Sequence, residues 1–350
     1  MYKTSFFAIF VAAILVLYGC SRTAPSQPEG EISHSQSQFV LATICTIILF
    51  DDGRPEVYRE IFDRLREIEN RMSAYLEGSY INRINSAAGI EAVQVPPDVF
   101  SVIERAVFTA EVSNGAFDPT VRPLVALWDI GGVNPRVPAR EEIDSVLPLI
   151  DWRDVVLDRA NRTVFLRRPG MALDLGAIAK GFAADEAAII VKNHQIPLAI
   201  IDLGGNVLLV GTRTDRPWRI GVQDPSGGRG EFFGIVSTFE ATSVVTSGIY
   251  ERYLIEDGVH YHHLFDPFTG YPAANGLLSV TVITDVSKDA DAFSLAAFVM
   301  GYQQGRALIE SLEGKEAIFV FDDKTISLTS GLTLNVDFIL TDESFRIVSE

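Results

Sequence analysis

The sequence predicts an α+β fold, built as a single intertwined body of short mixed strands and helices over residues 37–350. Its 350 residues are 47% hydrophobic and 21% charged, which is enough apolar material for a sizeable core. Short β-rich runs, bounded by Gly, Pro, Asn and Asp, outnumber the segments with helical spacing. No break in composition and no repeat of about 20–50 residues divides the body, so we expect one domain.

The composition also excludes several classes of protein. Asp and Glu number 46 against 29 Lys and Arg, a net charge of −17, which argues against a nucleic-acid partner. Two cysteines exclude a disulfide scaffold and a four-cysteine zinc site. Only one stretch is long, apolar and uncharged, so a protein with many membrane spans is excluded as well.

That apolar stretch, residues 6–19, follows Lys3 and predicts a lipoprotein signal peptide over residues 1–19. It ends at Cys20, and residues 17–20 resemble a bacterial lipobox, in which this cysteine carries the lipid; an uncleaved anchor is the alternative. Residues 20–36 are polar and rich in Pro and Ser, which predicts a flexible tether. Acyl chains on Cys20 would hold the body at a bacterial membrane, on its extracytoplasmic, periplasmic side.

The elements of the first half follow in order. Residues 39–50 are apolar and β-rich and predict the first strand, in which Cys45 is expected to be a buried small hydrophobe. Residues 56–72 and 97–113 have apolar side chains at helical spacing. The pattern then predicts a helix over 138–147 and a hairpin of two strands, 154–157 and 163–167.

The second half alternates helices with many short strands. The pattern predicts helices over residues 177–193, 289–300 and 303–312. A hairpin around Asp257-Gly258 is predicted to join residues 253–255 to 261–265. Further strands are predicted over residues 198–202, 278–283, 317–321, 325–328 and 345–348.

Four short segments combine Asp, Gly, Thr or Ser where a chain places turns or ligands: residues 114–120, 173–181, 262–270 and 288–296. Taken singly, each acidic residue has an ordinary structural interpretation. Asp118 and Asp266 precede Pro and could start turns, Asp174 could cap a helix, and Asp291 could be an exposed helix acid. No dinucleotide-binding, P-loop or zinc-protease motif competes with these segments.

Taken together, in this order and spacing, the four segments resemble the ApbE family of FAD:protein FMN transferases. Supporting segments lie at residues 71–75, 201–206, 218–222 and 245–248, and the resemblance covers residues 38–350. It implies an ApbE-like, T-fold-like body that binds FAD and breaks its pyrophosphate. FMN then passes to a Thr or Ser hydroxyl of an acceptor protein and AMP leaves. The resemblance implies Mg²⁺ for this chemistry, with Mn²⁺ as the alternative ion.

The resemblance also implies roles for individual residues. The side chain of Asp291 and the carbonyl of Ala177 are the implied metal ligands. The implied FAD contacts are Tyr75, Ala116, Phe117, Asp118, Asp174, Lys180 and Phe265. The rings of Tyr75 and Phe117 are suited to stacking on a flavin or an adenine, although core packing is the alternative for Phe117.

A histidine pair offers a general base for the acceptor hydroxyl. His262 and His263 are adjacent, and strand alternation would direct them to opposite faces. The family pattern, in which the histidine stands three residues before Asp-Pro, selects His263. The alternative is that His263 only braces its loop.

Two positions depart from the family pattern. The family has Thr four residues after the metal-binding Asp, where this chain has Leu295. Ser294 is then the predicted hydroxyl ligand, although one helical position rotates a side chain by about 100°. Leu41-Ala42-Thr43 stands where the family has Met-Gly-Thr. Two alternatives to the transferase therefore remain, an FAD pyrophosphatase that releases FMN and AMP, and a flavin-binding lipoprotein with little catalysis.

Overall fold

The computed structural model describes residues 32–51, 53–228, 230–332 and 336–348. The predicted signal peptide, Cys20 and most of the predicted tether therefore lie outside the described residues. Residues 33–350 form one compact unit, and its first strand begins at His34. Residues 34–36, predicted as tether, thus belong to the body. Over the described ranges, no helix is long and apolar enough to cross a membrane.

The structure contains mixed helices and strands, which confirms the α+β class. Its helices are α1 (Pro55–Met72), α2 (Tyr80–Ser86), α3 (Pro97–Val112), α4 (Arg122–Trp128), α5 (Arg140–Val146), α6 (Ala179–Asn193), α7 (Ser287–Met300) and α8 (Tyr302–Glu310). Short 3₁₀ turns follow α5 at Leu147–Leu149 and Trp152–Asp154.

Its strands are β1 (His34–Val40), β2 (Thr43–Leu49), β3 (Val93–Gln94), β4 (Val155–Asp158), β5 (Thr163–Leu166), β6 (Ala199–Leu203), β7 (Asn206–Val210), β8 (Trp218–Gln223), β9 (Phe232–Thr238), β10 (Ser243–Gly248), β11 (Tyr253–Glu256), β12 (Val259–His262), β13 (Leu277–Thr284), β14 (Glu316–Phe321), β15 (Thr325–Leu328), β16 (Asp337–Leu340) and β17 (Arg346–Ile347).

A nine-stranded sheet organises the unit, in the order β1-β2-β6-β7-β10-β13-β14-β15-β17. Neighbouring strands run antiparallel except for the parallel pair β15 and β17. β1 forms one edge of this sheet and the short β17 forms the other. Three smaller sheets accompany it: β16-β9-β8, β3-β5-β4 and the hairpin β11-β12.

Strand alternation produces two cores, one on each face of the large sheet. On β14, Phe319 points into the larger core, which also contains the buried faces of α1, α3, α6 and α7. Its neighbours Ile318 and Val320 point into a smaller core shared with β8 and β9. This period of two is what a strand covered on both sides requires. A third, separate cluster surrounds Trp128 beneath the β11–β12 hairpin.

The first predicted strand, residues 39–50, is in fact a hairpin. β1 and β2 pair antiparallel around Leu41 and Ala42, each with φ of 56°. The sequence concealed this turn because neither residue is one that favours the left-handed region. Cys45 on β2 is fully buried, as expected, and burial raises the pKa of its thiol to about 12.

Candidate active site

The N-terminal ends of α6 and α7 cross at Gly181. A Cβ atom added to Gly181 would lie 2.3 Å from the carbonyl oxygen of Ser287, a distance that real Cβ atoms do not adopt. Only glycine therefore permits this approach. The crossing brings the amide of Gly181 within 3.0 Å of Asp291 Oδ2, to which it donates a hydrogen bond.

Asp291, a residue of α7, thus lies against the N-terminal end of α6 and not on the protein surface. It is only 5% exposed, which excludes the exposed helix acid considered from the sequence. Its negative charge faces the positive end of the α6 dipole. In a continuous helix, the Gly181 amide would bond to the carbonyl four residues earlier, which belongs to Ala177. Here that amide donates to Asp291, and α6 begins only at Ala179, so Ala177 lies in the turn just before the helix.

Lys180 joins the same cluster. Its Nζ lies 3.5 Å from Asp291 Oδ1 and 3.3 Å from the carbonyl oxygen of Gly176. The ammonium group offsets the charge of the buried carboxylate, and the N-terminal end of the α6 dipole adds partial positive charge there. Both the lysine and the helix N-terminus suit phosphate oxygens.

The donor set fits a hard divalent cation. Asp291 offers a carboxylate and Ala177 a backbone carbonyl, the oxygen ligands that Mg²⁺ prefers alongside water and substrate phosphates. Across the described ranges, no cluster of three or more His, Cys, Asp or Glu side chains could hold a metal ion. Backbone, water and substrate oxygens would have to complete the coordination.

The prediction that Ser294 substitutes as a metal ligand is not supported by the geometry. Its Oγ donates to the carbonyl oxygen of Asp291 at 2.9 Å and lies 2.8 Å from Ser247 Oγ on β10. Its side chain is fully buried between α7 and the sheet. The rotation of one helical position explains this, because it directs Ser294 towards β10. Leu295 is partly buried and packs against the larger core.

The adjacent histidines differ as strand alternation predicts. His262 is buried, its Nδ1 accepts the amide hydrogen of Leu264, and its Nε2 donates to the carbonyl oxygen of Ala273 at 3.1 Å. Both ring nitrogens are therefore engaged in structure. His263 is partly exposed, and its Nδ1 donates to the carbonyl oxygen of Arg252 at 3.1 Å. Because that carbonyl can only accept, the neutral ring of His263 keeps Nε2 as its basic nitrogen.

The environment of His263 keeps the imidazole neutral. Desolvation, together with smaller electrostatic contributions from Arg252, His262 and Lys180, lowers its pKa to about 4 against the opposing hydrogen bond to the Arg252 carbonyl. His263 is thus a proton acceptor over the whole neutral range.

The 114–120 segment forms a buried loop stabilised by Asp118. Its Oδ1 accepts hydrogen bonds from the amide and the hydroxyl of Thr120, and its Oδ2 accepts one from the amide of Trp152. Burial raises the pKa of Asp118 to about 6. The carboxylate therefore shapes the loop.

A cavity of about 280 Å³ lies where this loop meets the 262–270 segment. Its lining residues come from both segments and from the α7–α8 junction: Ser113, Asn114, Ala116, Asp266, Phe268, Val299, Met300 and Gln304. Ala116 therefore lines a cavity, and the structure brings two of the four predicted segments together around it.

Two aromatic residues predicted to contact FAD are core residues instead. Phe117 is only 2% exposed and belongs to the larger core, so the alternative of core packing applies. Phe265 is buried against Trp128, with ring centroids 5.7 Å apart. Neither ring has a free face for stacking. The sequence could not separate these rings from exposed ones because aromatic residues serve both purposes.

Arg122, a residue that the sequence did not indicate, contacts both Tyr75 and Asp174. The guanidinium carbon of Arg122 lies 3.9 Å from the centroid of the Tyr75 ring. Its Nη1 lies 3.9 Å from Asp174 Oδ2. Asp174 Oδ1 accepts the amide hydrogen of Gly176, in the turn that leads to α6. No motif marks Arg122, since the contact joins parts of the chain far apart in sequence.

A second unpredicted residue fixes the position of α7. Asp185, on α6, accepts hydrogen bonds from the amides of Ser287 and Lys288. The residue before α7, Val286, has no side chain that can cap the helix. Asp185 therefore caps α7 from a neighbouring helix, and burial raises its pKa to about 6.

A neutral imidazole, an ammonium group and a buried carboxylate beside a helix N-terminus define an enzyme-type site for an anionic, phosphate-bearing substrate. The chain belongs to the ApbE family, whose family model matches residues 41–319.

Similar proteins agree in sequence and in fold. A protein of Treponema pallidum named FAD:protein FMN transferase is 37% identical over 318 residues, covering 85% of this chain and 87% of that protein. One from Klebsiella pneumoniae with the same name is 38% identical over 288 residues, covering 82% and 89%. The crystal structure of an ApbE protein from Thermotoga maritima matches with a TM-score of 0.80 at 34% identity, covering 87% of this chain and 99% of that one. The flavin transferase ApbE from Vibrio cholerae matches with a TM-score of 0.75 at 26% identity, covering 90% and 98%.

Proposed function

We propose that this chain transfers FMN from FAD to a Thr or Ser hydroxyl of an acceptor protein, in a metal-dependent reaction that releases AMP. The observation that carries the proposal is the cluster at the start of α6. There Asp291 and Lys180 lie in contact beside a helix N-terminus. The relatives named FAD:protein FMN transferase support the same activity.

The residues divide the reaction between them. Lys180 and the α6 N-terminus bind the pyrophosphate of FAD. His263 Nε2 accepts the proton of the acceptor hydroxyl, whose oxygen forms a new bond to the phosphorus of the FMN half. The bond from that phosphorus to the bridging oxygen breaks, and AMP leaves with the electron pair. Asp291 and the Ala177 carbonyl would hold Mg²⁺, or Mn²⁺, which when bound neutralises phosphate charge.

The experiment incubates residues 21–350 with FAD, Mg²⁺ and an acceptor peptide bearing a Thr, and reads the products by mass spectrometry. We expect an FMN adduct on the peptide together with free AMP. Asp291→Asn should lower the rate by more than about a hundredfold, because a metal contributes several kcal/mol to such a transition state. Ser294→Ala is the control and should keep the activity, because its hydroxyl faces Ser247.

Other products would select another function. Free FMN and AMP, with the peptide and a panel of other Thr peptides unmodified, would indicate an FAD pyrophosphatase that uses water as the acceptor. Intact FAD with either metal would indicate a flavin-binding lipoprotein with little catalysis, and the change to Leu295 would be its explanation.

We also propose that the mature chain is anchored by a lipid on Cys20 and faces the periplasm. The lipobox-like residues 17–20 and the apolar stretch before them support this location. The acidic chain, with a net charge of −17, would be repelled by anionic lipid, so a covalent anchor would be useful.

A further inference from the structure

The ring of Tyr75 is held on one face only. The residue is 64% exposed. The guanidinium carbon of Arg122 lies 3.9 Å from its centroid, which is stacking distance. One face of the ring is therefore covered by a cation. The exposed parts of the ring are therefore its opposite face and its edge.

Arg122 is itself fixed. It is the first residue of α4, and its side chain is largely buried. Its Nη1 lies 3.9 Å from Asp174 Oδ2, and the amide of Asp174 donates to the Pro119 carbonyl at 2.8 Å. The backbone bond fixes the main chain at Asp174, and the carboxylate that faces Arg122 also accepts the Gly176 amide hydrogen at 2.8 Å, a bond it would lose by rotating away.

We propose that Arg122 is a positioning residue that holds Tyr75 as a one-sided stacking platform for an aromatic ring of FAD. This inference rests on the proposed function for the identity of the ligand. An exposed tyrosine that is free to rotate must lose side-chain entropy when a ligand stacks on it, and a ring held in place beforehand loses less.

A double-mutant cycle on FAD affinity tests the inference. The dissociation constant of FAD is measured by flavin fluorescence, without acceptor, for wild type, Arg122→Ala, Tyr75→Ala and the double variant. We expect about a fivefold loss for Arg122→Ala, in line with a cation–π contact at an exposed site. The double variant should bind as Tyr75→Ala does, because Arg122 acts through the ring. Arg122→Lys should be intermediate, since it keeps the charge but not the planar group.

The chain offers a matched control in Arg140. Its guanidinium carbon lies 6.0 Å from the ring of Tyr271, and Asp144 is its partner at 2.7 Å. The same three residue types thus meet outside the candidate site, so Arg140→Ala should leave FAD affinity unchanged. In turnover, Arg122→Ala should raise the KM for FAD while the rate at saturating FAD stays near that of wild type. A general loss of structure would lower both.

The two aromatic rings of FAD are separated with FMN and AMP as probes. Weaker binding of FMN alone to Arg122→Ala assigns the flavin to Tyr75, and weaker binding of AMP alone assigns the adenine. Unchanged affinity for FAD, or additive losses in the cycle, overturns the inference while the transferase can still stand. A wild type that binds FAD but transfers no FMN would refute the function and keep the inference. One that binds no FAD would refute both.

Discussion

His262 and His263 are adjacent in sequence, yet their imidazole rings make different hydrogen bonds. The first uses both ring nitrogens on the backbone, and the second uses only Nδ1. The same chemical group therefore has both nitrogens engaged on one face of the β11–β12 hairpin and one nitrogen without a backbone partner on the other. The difference comes from strand alternation, which the sequence already predicts.

The pH dependence of the transferase should report this base. Because the pKa of His263 is lowered to about 4, the free enzyme keeps a neutral imidazole from pH 8 down to about pH 5. We expect kcat/KM for FAD to be independent of His263 ionisation over that range and to fall only below it, as the ring takes up a proton. His263→Gln should remove this acidic limb together with most of the rate. A half-maximal rate near pH 6.5 that depends on His263 would contradict the assignment.

The direction in which a side chain points could not be predicted from the sequence. Asp291 and Lys180 were predicted and come together, because their motifs carry polar groups that can be used only near a ligand or in a turn. Phe117, Phe265 and Ser294 were predicted beside them, yet they point into the interior. Residue type cannot distinguish these two groups, since direction is set by packing between distant elements.

At the scale of elements, the site depends on the contact between α6 and α7. Gly181 allows the two helices to touch, and Asp185 caps α7 from α6. The periodicity of α1 and α3 and the Asp-Gly hairpin of β11 and β12 could be predicted, because one face or one turn dominates each of them. The β1–β2 turn, α4 and β16 could not, since polar β1 lacks apolar alternation and the other two are short.

Gly181→Ala should separate these helices. The added methyl group would overlap the Ser287 carbonyl, so we expect a loss of about 1–3 kcal/mol in the free energy of unfolding and weaker FAD binding. Gly305→Ala is the control, because its Cβ would lie 2.4 Å from the Ala297 carbonyl, at the contact of α7 with α8. Both variants should unfold at lower denaturant concentration. Equal losses of FAD affinity in the two, measured where both are folded, would show that the junction with α6 is not special.

Asp185→Ala should leave the first amides of α7 without a partner. We expect a loss of about 1–2 kcal/mol in the free energy of unfolding, the usual range for a lost helix cap. Asp285→Ala is the matched control, because Asp285 lies next to α7 in sequence but bonds to the Thr284 hydroxyl. Urea unfolding followed by circular dichroism compares the two. A larger loss for Asp285→Ala would contradict this assignment and would indicate that Asp285, the residue nearer to α7 in sequence, caps the helix.

At the scale of the whole molecule, the described body is a large sheet with helices on one face and a small sheet on part of the other. The class could be predicted because short strands and amphipathic helices alternate along the chain. The order of the nine strands could not, since strands that neighbour each other, such as β2 and β6, are separated by more than a hundred residues.

The anchor and the body should be separable. Cys20→Ser should move the protein from the membrane fraction to the soluble fraction of cells, because acyl chains supply the attachment. Residues 33–350, which form one compact unit, should keep the melting temperature and FAD affinity of residues 21–350. Fractionation and thermal denaturation measure these outcomes. Membrane association of Cys20→Ser equal to that of wild type would favour the uncleaved anchor.

The edges of the large sheet bear on how copies of this protein can coexist. β1 exposes His, Ser and Gln side chains and a single aromatic one, Phe39, and β17 contributes only two residues. An open strand edge is a template for pairing with another chain, and polar or very short edge strands discourage it. Proteins tethered to one membrane are confined to a thin layer, where collisions between copies are frequent. The polar β1 that concealed the hairpin from sequence analysis would thus protect a crowded surface from aggregation.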